Sequence, residues 1–365
     1  MTRGADAAAG GEASARPRRW WATAVRVAAA GYVLALLAVI VTFRFVGERS
    51  WVTEVALYLP RVGFALPLPF LTLALLLARA YRWLSTQAVA LALVLFPLMG
   101  LHLSGGRSPA PGAERLRVVT FNINEGRAGI DDIIARARAA NPDVILFQEA
   151  GHVESEPMKA AFAGYFFDHT DQFVLASRFP IEERFFPPPL PAPVGGRQRT
   201  RRFVRYRIAT PAGPIHIYNV HPISPREGLD ELRGAGLAHE LASGRIFRPD
   251  TDDLTSGTAL RVAQIAAVAE DAAASRYPVL IAGDTNLPEL SWSFARSLGR
   301  YRDAFAEAGR GFGYTFPSTK RWAWLRIDRI LGDDHFRFSS CAVLPDHLSD
   351  HFGLTAEVEL VSGAR

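Results

Sequence analysis

Residues 279–286 read VLIAGDTN. Four apolar residues between Pro278 and Gly283 have the form of a short buried strand, and Asp284, Thr285 and Asn286 follow where it must end. Five further segments share this form. TFNIN (120–124) closes the strand-like run Leu116–Ile123, FQE (147–149) closes Val144–Gln148, and NVHP (219–222) closes Ile215–Val220. RIDRI (326–330) carries Asp328 within a strand over Ile327–Leu331, and LSDHFGL (348–354) leads into a strand over Leu354–Leu360. Each segment alone is weak, because an Asn at a strand end usually serves a turn. Six in order carry more, since strand ends gather at one edge of a sheet, where α/β proteins place their sites.

Working outward, helical patterns separate these strands. Asp131–Ala140 has its cap near Gly129–Asp131 and is broken by Asn141-Pro142-Asp143. Thr258–Ala274 places Leu260, Val262, Ile265 and Val268 among its apolar positions. Phe173–Ser177 is a further strand, and Arg202–Ile208 pairs with Ile215–Val220 around the turn Pro211–Pro214. The alternation predicts one α/β domain over residues 114–362. Ser224–Gly257 is rich in turn residues and reads as an insertion over the site.

Upstream the character changes. Residues 1–110 hold 11 arginines, no lysine and 4 acids, whereas the rest holds 30 basic and 32 acidic residues. The formal charge of +5 is therefore a property of the first third, not a nucleic-acid signal spread along the chain. Three stretches there lack charge: Val27–Phe43, Val62–Ala78 and Trp83–Gly106. They have the length and Leu, Ala and Val content of membrane-spanning helices. Trp20, Trp21, Trp51, Tyr58, Tyr81 and Trp83 stand near their ends, as interfacial aromatics do. The expected organisation is a cytoplasmic tail (1–23), three transmembrane helices (24–106), a linker (107–113) and the α/β domain. Arg16, Arg18 and Arg19 before the first helix, with Arg79 and Arg82 in the second loop, favour a cytoplasmic N-terminus and an extracytoplasmic domain. The composition excludes a disordered chain, and a single cysteine, Cys341, excludes an intramolecular disulfide or a zinc-finger set.

The ordered set TFNIN, FQE, NVHP, GDTN, RIDRI and LSDHFGL resembles the endonuclease/exonuclease/phosphatase superfamily, the DNase-I-like fold, over residues 114–360. That resemblance implies a four-layered α/β sandwich, here preceded by a three-helix transmembrane region, and Mg²⁺-dependent cleavage of phosphate esters, with Mn²⁺ as the alternative ion. A hard cation takes oxygen ligands and neutralises phosphate oxygens. By resemblance Glu149 and Asn122 hold the metal, with Asp350 beside it. Asp284 orients and deprotonates the attacking water, Asn286 holds the phosphoryl group or Asp284, and His351 donates to a phosphate oxygen while Asp328 fixes its tautomer. His221 is a second phosphate donor; its Asn-x-His setting argues against the abasic-site nuclease branch. Asn124 stands where many members carry an acid, which favours one metal over two.

Six arginines, at 197, 199, 201, 202, 205 and 207, fall within eleven residues without an acid. Arg201 and Arg205, with Asn124, are candidate substrate contacts; a protected strand edge is the plainer reading. The arrangement of three helices before such a domain resembles the membrane proteins linked to teicoplanin resistance. The expectation is a membrane-anchored phosphoesterase for a phosphorylated lipid or other envelope phosphate or pyrophosphate. The alternatives are an extracytoplasmic nuclease, whose partner is nucleic acid, and an inactive membrane-anchored binding module.

Overall fold

A computed structural model describes residues 15–109, 112–190, 202–225 and 252–361. The chain divides into two compact units. One comprises the residues up to Phe45 with Leu59–Gly100, and the other Val46–Tyr58 with the residues from Leu101 onward.

The first unit is helical: α1 (Ala15–Phe45), then, beyond α2 (Trp51–Tyr58) of the other unit, α3 (Pro67–Leu77) and α4 (Leu84–Leu93). Among the described residues, Trp20–Phe45 and Tyr81–Leu98 are long and apolar enough to cross a membrane. A third span is counted if the bent pair Trp51–Tyr58 and Arg61–Leu77 is taken as one. The last span is shorter than its uncharged stretch. Beyond α4 the chain makes a π-helical turn, Val94–Leu98, around Pro97, which has no amide proton to continue a regular ladder. Buried Arg61 donates to the carbonyl of Leu98 (2.9 Å), one of the acceptors freed at that end. From Leu101 the chain belongs to the second unit, where His102 pairs through its backbone with Gly311.

The second unit contains α2 (Trp51–Tyr58) and two six-stranded mixed sheets. In chain order the strands are β1 (Arg115–Asn122), β2 (Val144–Gln148), β3 (Phe166–Thr170), β4 (Phe173–Ser177), β5 (Ile181–Phe185) and β6 (Phe203–Thr210), then β7 (Gly213–Val220), β8 (Val279–Asp284), β9 (Arg302–Asp303), β10 (Asp328–Gly332), β11 (Phe336–Leu344) and β12 (Gly353–Leu360). The sheet orders are β11-β12-β1-β2-β4-β3 and β5-β6-β7-β8-β10-β9.

Strand period places the layers. Leu116, Val118, Val144 and Leu146 of one sheet share a fully buried core with Ile215, Ile217, Leu280, Ala282 and Ile330 of the other. The alternate residues Val119, Phe121, Ile145 and Phe147 pack outward on α5 (Ile130–Ala139) and α6 (Ser155–Ala161). Tyr218, Val220, Val279 and Ile281 pack outward with Ile265 and Val268 of α7 (Asp252–Ala273). The result is the helix–sheet–sheet–helix sandwich expected from the motifs. Because successive side chains alternate, Asn122, Gln148, Asn219, Asp284 and Asp328 continue the inward rows and meet where the apolar core ends.

Two features hold this end together. Gln148 and Asn219, fully buried on opposite sheets, are joined by a 2.7 Å hydrogen bond from Gln148 Nε2 to Asn219 Oδ1. Gly283 has φ +142°, and a Cβ there would sit 2.1 Å from the carbonyl oxygen of Val220, so β7 and β8 approach this closely only with glycine.

A buried ion network stands behind β10. Arg326 donates to Glu289 (2.6 Å) and to both oxygens of Asp303 (2.7 and 2.8 Å), and Arg329 donates to Asp303 (2.8 Å). Asp303 also caps the short helix Ala304–Ala308. Burial alone would raise the Asp303 carboxyl, but the two guanidinium groups outweigh it and hold the group well below the ordinary carboxylate range. A depressed folded-state value means that this network stabilises above the unfolded value, about pH 4, and that the contribution disappears as pH falls through the folded one. Asp303→Asn, which leaves the arginines uncompensated, is expected to cost roughly 3–5 kcal/mol at pH 7 and to flatten the acid dependence of stability below about pH 4. Denaturant unfolding at pH 7 and pH 3 measures both.

Candidate active site

Asp284 Oδ2 is the centre of the site. It lies 3.2 Å from Asn122 Nδ2, 3.6 Å from His351 Nε2 and 3.7 Å from His221 Nε2. These groups come from β1, the loop before β12 and the end of β7, so residues up to 229 positions apart in sequence converge because their strands end together. Asp284 Oδ1 accepts from the backbone amide of Asn286 at 2.8 Å. Asp328 faces Asp284 across the β8–β10 register, and its Oδ2 accepts from His351 Nδ1 at 2.9 Å. That bond assigns the proton to Nδ1 and turns Nε2 toward the cleft.

Burial sets the charge states. Burial pushes the Asp284 carboxyl up to about 7, with the positive His351 opposing and Asp328 adding to the rise. For His351 burial acts downward, but Asp328, Asp284 and the hydrogen bond outweigh it and raise the imidazole to about 10. The site therefore holds an imidazolium facing a carboxyl poised near neutrality. His221 is the opposite case. Burial, with the charges of Arg202 and His351, holds its ring well below the ordinary histidine range. Its Nδ1 lies 2.5 Å from Gln172 Oε1, which leaves a neutral Nε2 buried and without a hydrogen-bond partner.

Glu149 stands at the open side, 31% exposed, with Oε1 3.4 Å from His221 Nε2 and 3.0 Å from Asn122 Nδ2. Its φ of +53° is a left-handed conformation for a residue with a Cβ, which costs on the order of 1–2 kcal/mol and aims the carboxylate off the end of β2. Asn122 enters by its amide nitrogen. Its Oδ1 accepts from Asn124 N (3.1 Å), so the oxygen that a ligand role would use is turned away from Glu149 and Asp284. Asn124, with φ +45°, shapes this turn. Asp350 adds negative charge beside His351 and accepts from Ser349 Oγ at 3.4 Å.

The donor set fits a hard divalent cation. Its acceptors are carboxylate oxygens, Asp328 Oδ1 is buried without a hydrogen bond, and Glu149 retains the solvent access that a strongly hydrated ion requires. Asp284, Asp328 and His351 offer ligand atoms within 4.8 Å of one another. The 2.9 Å bond between Asp328 and His351 already engages two of these groups, so the partly exposed Glu149 is the better ligand candidate.

Other sequence expectations resolve differently. Arg205 is not a free substrate contact: its guanidinium pairs with Asp271 (2.6 Å) and Glu183 (3.3 Å) and lies over Phe185. Arg207 likewise pairs with Glu182 and Glu183. These pairs explain the arginine-rich strand as one face of β6 matched by acids on β5 and α7. Arg201 and most of the 224–257 segment lie outside the described residues. Asn286 directs Nδ2 to the Pro222 carbonyl (3.0 Å) and holds Asp284 with its backbone. Gln172, which orients His221, carries no sequence signal, since it sits in the turn before β4.

The profile of the Endonuclease/Exonuclease/phosphatase family matches residues 119–351. A family protein of Bacteroides thetaiotaomicron is similar in structure, with 18% identity, a TM-score of 0.49, and coverage of 68% of this chain and 99% of that one. A humanized TDP2 from D. rerio shows 17% identity and a TM-score of 0.48, covering 67% and 98%. The mannosyl-6-phosphatase Bt3783 of Bacteroides thetaiotaomicron shows 17% identity and a TM-score of 0.47, covering 67% and 99%. No curated protein matches the chain in sequence.

Proposed function

The chain belongs to the endonuclease/exonuclease/phosphatase family and is a phosphoric ester hydrolase, and on that premise we propose that it is a membrane-anchored, Mg²⁺-dependent phosphoesterase acting on a lipid-linked or envelope phosphate or pyrophosphate. The observation that carries this reading is the presence on one chain of helices able to cross a membrane and of the Asp284, Asp328 and His351 cluster, with Glu149 joined to Asp284 through Asn122 Nδ2.

Glu149, with Asp350, would hold the cation; bound there it would neutralise phosphate oxygens and stabilise the leaving oxyanion. Asp284, poised near neutrality, accepts the proton of the attacking water, since a base works best when its own value lies near the operating pH. His351 donates from Nε2 to a phosphate oxygen, and Asp328 keeps the ring in the tautomer that makes this possible. Asn286 fixes Asp284 through its amide. A neutral His221 is available to orient the water or, once a phosphate dianion raises its basicity, to donate to it. Asp328→Asn should lower kcat by about 100-fold while leaving KM within a few-fold, because it frees the ring without removing a substrate contact. Steady-state kinetics on an aryl phosphate ester measures the split.

Topology is part of the proposal. Val46–Tyr58 lies in the same compact unit as the catalytic domain, and the chain rejoins that unit at Leu101. With three crossings the domain would lie opposite the N-terminus. The arginine distribution then supports an extracytoplasmic domain, as in the teicoplanin-resistance-type proteins it resembles in layout.

Arg205 and Arg207 are neutralised by internal acids and favour neither substrate, so the helices able to cross a membrane are what favour lipid phosphate over nucleic acid. A phosphate-release panel with Mg²⁺ tests the proposal. Turnover of polyprenyl pyrophosphate or a phospholipid headgroup supports it. Turnover of DNA alone would replace it with the nuclease reading, and no turnover of any ester would leave the binding-module reading.

A further inference from the structure

Val46–Tyr58, the segment between the first two apolar stretches, is built into the catalytic unit at three buried points. Glu48 accepts from Ser291 Oγ and from the amides of Trp292 (3.1 Å) and Ser293 (3.3 Å). Glu54, 1% exposed, pairs with Arg261 at 3.0 Å, and Arg261 also donates to the Ile223 carbonyl at 2.9 Å. Tyr58 donates its hydroxyl proton to the carbonyl of Asn286 at 2.7 Å, while Trp324 Nε1 donates to the Tyr58 carbonyl at 3.0 Å.

The third point touches the chemistry. Asn286 has φ +50°, a conformation that needs outside support in a residue with a Cβ. Its amide holds Asp284 Oδ1, and its side chain is tied to Pro222. The residue whose amide holds Asp284 is therefore gripped at its own carbonyl, one peptide unit further on, by a tyrosine 228 residues earlier. Arg261 NH1, 3.4 Å from the Tyr58 hydroxyl oxygen, leaves the phenolic proton directed at Asn286.

We propose that Tyr58, in the segment between the first two apolar stretches, is a positioning residue for Asp284, acting through Asn286. This rests on Asp284 being the base. A tyrosine that only fills space would tolerate loss of its hydroxyl, whereas a pin on the Asn286 carbonyl would not.

The test compares full-length wild type, Tyr58→Phe and Glu48→Gln in detergent micelles, with Glu48→Gln disturbing the same segment away from Asn286. Two readouts are used: hydrogen exchange of the peptide containing Asn286, and kcat and KM on an aryl phosphate ester with Mg²⁺. In Tyr58→Phe, exchange at residues 284–287 should rise about tenfold and kcat fall about tenfold, with KM within twofold. Glu48→Gln should leave both unchanged. Unchanged exchange in Tyr58→Phe overturns the pin, and raised exchange with unchanged kcat overturns the positioning role. Equal kcat losses in Tyr58→Phe and Glu48→Gln would show a merely structural segment. If the wild type turns over no ester, the hydrolase mechanism fails and the positioning role with it, while exchange still reports whether the pin exists.

Discussion

Glu149→Gln is expected to remove metal-dependent hydrolysis, lowering kcat/KM by on the order of 10³-fold or more, while the protein stays folded. Glutamine is the informative replacement because it preserves the acceptor 3.0 Å from Asn122 Nδ2 and removes only the charge. Alanine would also leave a left-handed backbone without the side chain that it serves. Glu149 is partly exposed at the open side of the cleft, so its neutralisation leaves the apolar core untouched. The expected signature is weakened Mg²⁺ binding by calorimetry with an unchanged thermal midpoint. Full activity in the variant would move the ligand role to Asp284 and Asp328.

Asp284→Asn should lower kcat by about 10³–10⁴-fold with Mg²⁺ affinity largely kept, because it removes the base and not the exposed ligand. The asparagine oxygen can still accept from Asn286 N. Its amide nitrogen would then face Asn122 Nδ2 and His351 Nε2, both donors, at positions now 3.2 and 3.6 Å from a carboxylate oxygen. The variant thus opposes like hydrogen-bonding groups where attraction is needed. Single-turnover rates separate this loss from any change in substrate binding. Loss of Mg²⁺ binding equal to that in Glu149→Gln would make Asp284 a ligand rather than the base.

The centre of the domain was legible because its strands are buried on both faces. VLIAGD and VILFQ read as strands from apolar content alone, and period two carried their terminal Asp284 and Gln148 inward. The edges were not legible. β3 is only half-buried, β5 carries three consecutive charges, and β11 changes register between Phe338 and Ser340, which breaks the alternation that would reveal it. The arginine-rich stretch misled for a related reason. Arg205 looks unpaired along the chain, since its partners Glu183 and Asp271 are brought to it only by strand pairing and by α7. The same holds for Glu54, which reads as a loop acid until Arg261 arrives from 207 residues away. Of the site, the carboxylates and His351 could be named from motifs. The orientation of Asn122, the partner of His221 and the grip of Tyr58 on Asn286 depend on contacts between distant segments.

The central claim is that a tethered domain works on a phosphate in its own membrane. The full-length protein should be reconstituted with Mg²⁺ into vesicles that also hold polyprenyl pyrophosphate, and phosphate release compared with the same amounts of protein and lipid in separate vesicles. Effective concentration at a shared surface predicts release at least about 100-fold faster when enzyme and substrate share a bilayer, and none in Glu149→Gln. Equal rates in the two arrangements, or cleavage of added DNA with no release from lipid, would contradict the account.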